Sequence, residues 1–207
     1  MIESEQHSER LSDILRAVFD PQKGISSYGE LIDRLDQHGM AVILVLFSIP
    51  SALPVPAAGY STALSIPLFL IGLRLALGYH TVWLPNRIRN RPFDPSKAEK
   101  LFGWMNRLVL FIEKFSKPRL CWLACSKGAR FFLGMLICLL ALSMALPIPG
   151  TNTLPAGGIF LIGFGLLEED GFLVLGGVIY SILALCLSVF IILFGYDVVK
   201  SFIKDFL

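Results

Sequence analysis

Charge is missing from long stretches of this chain. No Asp, Glu, Lys or Arg occurs between Met40 and Leu73, between Phe131 and Leu167, or between Phe172 and Tyr196. Uncharged runs of this length exclude an ordinary soluble surface and place the 207-residue chain among integral membrane proteins. Cysteine is sparse as well. Cys121, Cys125, Cys138 and Cys186 include no Cys-x-x-Cys pair, and no histidine stands near them at zinc spacing. Cys138 and Cys186 lie in apolar runs and read as small hydrophobes. The only histidines, His7, His38 and His80, are isolated from one another. There is no nucleophile–base pairing, no metal-ligand cluster and no phosphate-cradling glycine loop, so the residues argue against an enzyme, and no cofactor or metal is expected. The first residues are acidic and mixed without an early apolar core, which argues against a secretory signal and leaves insertion to the internal helices.

Within the apolar runs one pattern occurs twice. Leu53, Pro54 and Pro56 recur as Leu146, Pro147 and Pro149; at the same offset Leu68 falls on Leu161, Gly72 and Leu73 on Gly165 and Leu166, and Gly78 on Gly171. A constant offset is the mark of an internal duplication. Proline removes a backbone donor and clashes with the preceding turn, so each pair ends a helix in apolar surroundings. In lipid the freed backbone groups need protein or a water-filled cavity around them, and paired Gly/Pro-interrupted segments point to a carrier-type site. The helix-breaking residues are therefore Pro54, Pro56, Pro147, Pro149 and Pro155, and the candidate substrate- or ion-binding residues are Gly59, Tyr60, Ser61 and Thr62 in the first copy and Thr151, Asn152 and Thr153 in the second. Plain Pro-rich turns, with Ser61 and Thr62 as helix caps, are the competing account.

Taken in order, residues 1–38 read as two cytoplasmic or interfacial amphipathic helices, one over 8–19 and one opened by a Ser27–Glu30 capping box. Residues 39–78 form the first membrane repeat. Its rising arm, Met40 to Leu53, spans about 21 Å against a hydrocarbon core of about 30 Å and is expected to be re-entrant or short; Pro67 is expected to kink the returning arm. Arg74 near the end of that arm either snorkels to the interface or pairs with a charge. Residues 79–130 form a basic connector, with Trp83 as an interface anchor and an amphipathic helix over 98–115 that lies in the interface plane or binds a soluble partner. Residues 131–171 form the second repeat, ending in Glu168, Glu169 and Asp170. Three acids there oppose the helix dipole and must be solvated, paired or used; Arg74, at the matching end of the first copy, is their candidate partner. Residues 172–196 form one full transmembrane helix, with Gly176, Gly177 and Ser181 allowing close packing, and 197–207 form a C-terminal tail.

Twelve of the 18 basic residues lie between Arg74 and Arg130, against three acids. The positive-inside rule keeps that connector cytoplasmic, next to membrane lipid. Nucleic acid is excluded as a partner, since these residues flank membrane helices and belong to no nucleic-acid-binding fold. With two hairpins the N-terminus is cytoplasmic too, and the last helix carries the C-terminus across. The copies fit either a parallel or an inverted arrangement, and short hairpins that need protein around them fit a homodimer.

The segment Ile25-Ser26-Ser27-Tyr28-Gly29-Glu30-Leu31, the Leu53-Pro54-Val55-Pro56 turn, Pro67-Leu68, Trp83-Leu84-Pro85, Lys117-Pro118-Arg119-Leu120, the Leu146-Pro147-Ile148-Pro149 turn, Asn152-Thr153-Leu154-Pro155 and Asp170-Gly171 follow one another in an order that resembles the exopolysaccharide synthesis ExoD family. The resemblance covers about residues 8 to 195. It implies a multi-pass protein of the bacterial inner membrane linked to exopolysaccharide production, with effects on symbiotic invasion and on tolerance of alkaline conditions, and it implies no reaction. The expected fold is an all-α integral membrane protein of two Pro-x-Pro-broken hairpins, one full transmembrane helix and interfacial helices. The expected function is a carrier-like role for an ion or a lipid-linked saccharide intermediate, with a non-transporting accessory or scaffold protein of the polysaccharide machinery as the alternative.

Overall fold

The computed structural model describes residues 27, 29–30, 38–52, 60–79, 81–82, 85–92, 126–146 and 152–206. Helices over 8–19 and 98–115, both Pro-x-Pro turns, Trp83, Gly59 and Thr151 lie outside them. The described residues form helices with turns and short irregular stretches at their ends, and one isolated antiparallel bridge joins Ser27 and Pro92. Their helices are α1 (Gly39–Ala52), α2 (Tyr60–Ala76), the single turn α3 (Asn86–Arg89), α4 (Lys127–Ala145), α5 (Thr153–Leu167) and α6 (Gly171–Phe206).

Local chemistry accounts for several of the boundaries. The Glu30 amide donates to Ser27 Oγ at 3.3 Å, one half of the expected capping box. Ser126 caps α4 by accepting from the Ala129 amide at 3.2 Å. This cap starts α4 four positions ahead of the uncharged run and gives it 19 residues. A second helix long and apolar enough to cross a membrane thus joins Gly171–Ile191, where one was expected. Pro50 and Pro67 lie inside α1 and α2, and both helices continue past them. Pro155 was expected to break a helix; it stands in the first turn of α5, where the missing N–H would have had no intrahelical partner. The last helix does not give way to a tail at residue 197 but runs on to Phe206.

Neighbours in sequence touch, α1 on α2 and α4 on α5, but the more extensive packing crosses between the pairs. α2 packs chiefly on α4, and α5 is shared between α1 and α6. On the α2–α4 seam a Cβ at Gly72 would meet Ile137 and Cys138, one at Gly134 would meet Gly72 and Ala76, Cys138 Sγ reaches the Phe69 carbonyl at 3.6 Å, and Thr62 Oγ1 reaches the Ala145 carbonyl at 3.5 Å. One helix climbs as the other descends. On the α1–α5 seam Gly163 lies against Leu44 and Val45. On the α5–α6 seam Gly165 faces Val174, Gly177 faces Ile162 and Gly158 faces Ser181, again antiparallel. Leu44, Leu68, Ile137, Leu140, Met144, Ile159, Ile162 and Val174 form the common core and are almost wholly buried.

The outer faces are as apolar as the inside. Ile66, Leu70, Leu77, Phe132, Leu139, Leu142, Phe172, Ile179, Leu183 and Phe190 all stand exposed, and only 39% and 28% of the two candidate spans is buried within the protein. A helix from a soluble core would hide those residues, and a surface helix would replace them with charge.

Candidate functional site

The ends of α1 and α4 and the starts of α2 and α5 meet at one end of the bundle. Ser51, at the close of α1, donates through Oγ to Ser61 Oγ at the opening of α2, 3.3 Å away, and both side chains are fully buried. Thr62 turns to the last carbonyl of α4, Ala145, as given above. Ser48 and Ser65, also buried, bond back to their own helices, to the Val45 carbonyl at 2.9 Å and the Thr62 carbonyl at 2.7 Å. Asn152 is the N-cap of α5, 8% exposed, in helical conformation and without the side-chain cap bond that such a residue normally makes. Among the described residues its Oδ1 has no hydrogen-bond partner. A buried acceptor in that state costs about 1–3 kcal/mol.

Of the residues singled out from the sequence, this end therefore brings together Ser61, Thr62, Asn152 and Thr153, the last being the first residue of α5 and half-buried. Tyr60 opens α2; its side chain, with Gly59, Thr151, Pro54, Pro56, Pro147 and Pro149, is outside the described residues. Sequence reasoning passed over Ser48, Ser51 and Ser65. Their signal was spacing: Ser48 and Ser51, and Ser61 and Ser65, lie three and four apart, so each pair marks one helix face. It passed over Ser188 too, which is 2% exposed with an unpartnered Oγ.

The charged residues belong to the opposite end. Arg74 Nε donates to the Thr81 carbonyl at 3.1 Å, and its guanidinium lies over the Tyr79 ring, 4.5 Å from the centroid. These contacts stay within the end of its own hairpin. The acidic trio does not act as one group set against a dipole. Glu168 ends α5, Glu169 takes a left-handed conformation at φ 51°, and Asp170 starts the next helix by accepting from the Phe172 amide at 2.9 Å. A buried carboxylate at a helix N-terminus is favourably placed. Among the described residues no group of three His, Cys, Asp or Glu could hold a metal ion.

Comparison with known proteins fits this chain throughout its helical body. The family described as "Exopolysaccharide synthesis, ExoD" matches residues 11–190. An uncharacterized protein of Synechocystis sp. is 38% identical over 174 residues, covering 79% of this chain and 80% of its own. Protein ExoD of Rhizobium meliloti is 28% identical over 190 residues, covering 90% of this chain and 78% of its own. No solved structure matches. The extent of the family match shows that the chain belongs to the exopolysaccharide synthesis ExoD family.

Proposed function

We propose that this is a multi-pass protein of the bacterial inner membrane that serves exopolysaccharide production as a carrier for an ion or a lipid-linked intermediate, through two re-entrant hairpins related by duplication. Family membership supports the link to exopolysaccharide, and the apolar outer faces support the membrane.

Packing supports the duplication. Shifted by the spacing between the two proline pairs, Leu44 and Val45 fall on Ile137 and Cys138, and Gly163 falls on Leu70. The contact of Gly163 with Leu44 and Val45 is thereby the image of the contact between Phe69–Gly72 and Ile137–Cys138. The ends of α1 and α4 lie at the same end of the bundle as the starts of α2 and α5, which supports a parallel arrangement of the copies. The basic residues Lys127 and Arg130 at the start of α4 support a cytoplasmic position for the opposite end.

The last helix supports re-entrance by acting as a ruler. Its register on α5, with Gly158 at Ser181, brings Asn152 level with Leu187. That level is about 24 Å along α6 from Gly171, and the uncharged stretch continues to Tyr196, about 14 Å further. The start of α5 thus lies level with the apolar part of α6, which supports the re-entrant reading. The observation that carries the carrier reading is Asn152 itself, a buried oxygen without a partner where two helices start and two end. Flux into proteoliposomes tests it: the parent is expected to move its cargo and Asn152→Ala to lose most of that flux while still folded.

The scaffold reading rests on a different observation. On the first copy the serines are satisfied within the protein, Ser51 by Ser61, Ser48 by Val45 and Ser65 by Thr62, as in dry packing. A folded parent without flux, whose deletion still abolishes polysaccharide export, would favour it.

A further inference from the structure

The end of α2 is built to hold one charged side chain in place. Gly78 follows the helix at φ 78°. Its amide donates to the Leu75 carbonyl at 3.1 Å, and the Tyr79 amide donates to the Arg74 carbonyl at 3.0 Å. This pair of bonds is the Schellman motif, which needs a left-handed residue where Gly78 stands and folds the next residue back against the third-last helical position. Those two residues are Tyr79 and Arg74. The contact that usually closes the motif with apolar side chains is made here by a ring and a guanidinium, 4.5 Å from the centroid. The Thr81 carbonyl then fixes Arg74 Nε at 3.1 Å.

This arrangement leaves the Nη groups unused. Among the described residues Arg74 makes no hydrogen bond beyond the one at Nε and pairs with no carboxylate. A guanidinium held by its face and its Nε still presents the Nη pair as a fork, which matches two oxygens of a phosphate.

The surface beside it suits an acyl chain. Ile66, Leu70, Leu73 and Leu77 all stand exposed and follow one another at helical spacing along about 16 Å of α2. Arg74 is the helical neighbour of Leu70 and Leu77, and its contacts with Tyr79 and Thr81 draw its charge towards the helix end, past the stripe. An apolar stripe that ends at a fixed cation complements a phospholipid, with the acyl chain along the stripe and the phosphate at its end. Arg87 and Arg91, both exposed, follow as the chain leaves α2. They favour a headgroup of net negative charge over a zwitterionic one.

We propose that Arg74, oriented by Tyr79 and Thr81, binds the phosphate of one anionic phospholipid whose acyl chain lies along Ile66, Leu70, Leu73 and Leu77. This rests on the membrane reading given above and names a lipid partner for the end of the bundle opposite Asn152.

The test uses the full chain in dodecyl maltoside micelles, titrated with dioleoylphosphatidylglycerol, dioleoylphosphatidylcholine or inorganic phosphate. Native mass spectrometry counts the retained lipid, and the thermal midpoint reads its effect. Phosphatidylglycerol is expected to raise the midpoint saturably with one molecule retained, and phosphatidylcholine to act only at higher concentration. Arg74→Met is expected to need roughly tenfold more phosphatidylglycerol or worse, as loss of a charge-assisted hydrogen bond predicts. Arg74→Lys, which keeps the charge without the fork, should fall between the two. If Arg74→Met fails to fold, Tyr79→Leu takes its place: it keeps an apolar contact, removes the ring, and should weaken the response relative to the parent. A folded parent that treats the two lipids alike, or a variant that binds as the parent does, overturns the site. Equal stabilisation by inorganic phosphate overturns the lipid as its ligand. A chain that stays folded and monodisperse without detergent overturns the membrane reading; one that needs detergent but does not tell the lipids apart overturns this site and leaves that reading standing.

Discussion

Gly134 offers the most direct check on how the two hairpins meet. A Cβ built there would overlap the Ala76 amide nitrogen and stand 2.5 Å from the Gly72 carbonyl oxygen and 2.8 Å from the Ala76 Cα. All three atoms are main chain of α2, so no side chain can rotate out of the way. Restoring ordinary contact requires α2 to retreat by roughly 1 Å, which by itself forfeits a quarter to a half of each dispersion contact along the seam. Overpacking of this kind costs about 1–3 kcal/mol, while alanine returns up to about 1 kcal/mol of helix propensity. Gly134→Ala should therefore lose about 1 kcal/mol, or about 2–4 °C in thermal midpoint for a chain of this size. Gly128→Ala, on the same helix with nothing within 4 Å of the new methyl, is the control and should be neutral or slightly stabilising. Thermal unfolding in detergent, with the two variants side by side, reads the difference. Midpoints within a degree of each other would show that α2 and α4 do not meet backbone to backbone.

Three other substitutions probe single features. Glu169→Gly should stabilise by about 1 kcal/mol, since a non-glycine residue pays for its left-handed φ, and a fall in thermal midpoint would refute that. Asp170→Ala should cost about 1–2 kcal/mol through the lost cap at the Phe172 amide while Asp170→Asn keeps most of it, as thermal midpoints of the two variants would register. Gly158→Ala should cost about 1–3 kcal/mol because its methyl would overlap Ser181 Oγ. Ser181→Gly should recover most of that loss, and a double-mutant cycle with no coupling would refute the contact.

How much of this was legible in the sequence depended on which residues interrupt the apolar background. Charge-free runs located five of the helices, and the paired prolines located the reversals between them. Boundaries failed where one residue had two possible roles. Asp170 was read with Glu168 and Glu169 as the end of one helix, although an Asp directly before an apolar run is equally an N-cap signal, which is the role it takes. Pro155 was read as a breaker because it follows two others, although the first helical turn accommodates proline. The start of α4 lay hidden behind Lys127 and Arg130, since charge at an interface does not stop a helix that Ser126 has already capped. Helix pairing was legible only on α6, where Gly177 and Ser181 do meet α5 while Gly176 meets nothing. With leucine, isoleucine and phenylalanine on every face, no stripe tells α1 to choose α5 over α2. The glycines decide it, because Gly72, Gly134, Gly163 and Gly177 mark where backbones come closest, and a glycine is conspicuous only once its neighbour is known.

Contacts made between helices distant in sequence give the shorter helices their cover. At 14 and 15 residues, α1 and α5 are shorter than the roughly 30 Å of hydrocarbon in a bilayer, and they bury their small and apolar residues against each other, with Gly163 against Leu44 and Val45. Polar side chains are not confined to one pairing. The α1–α5 seam carries Ser48 and Ser51, and α2 carries Ser61 and Ser65, all buried, beside the Thr62 contact with the Ala145 carbonyl of α4. Each of these hydroxyls is bonded to protein, so packing alone accounts for them. Asn152 stands apart from them: its Oδ1 is buried without a partner among the described residues, at a cost of about 1–3 kcal/mol, and its replacement is therefore what separates a binding role from packing.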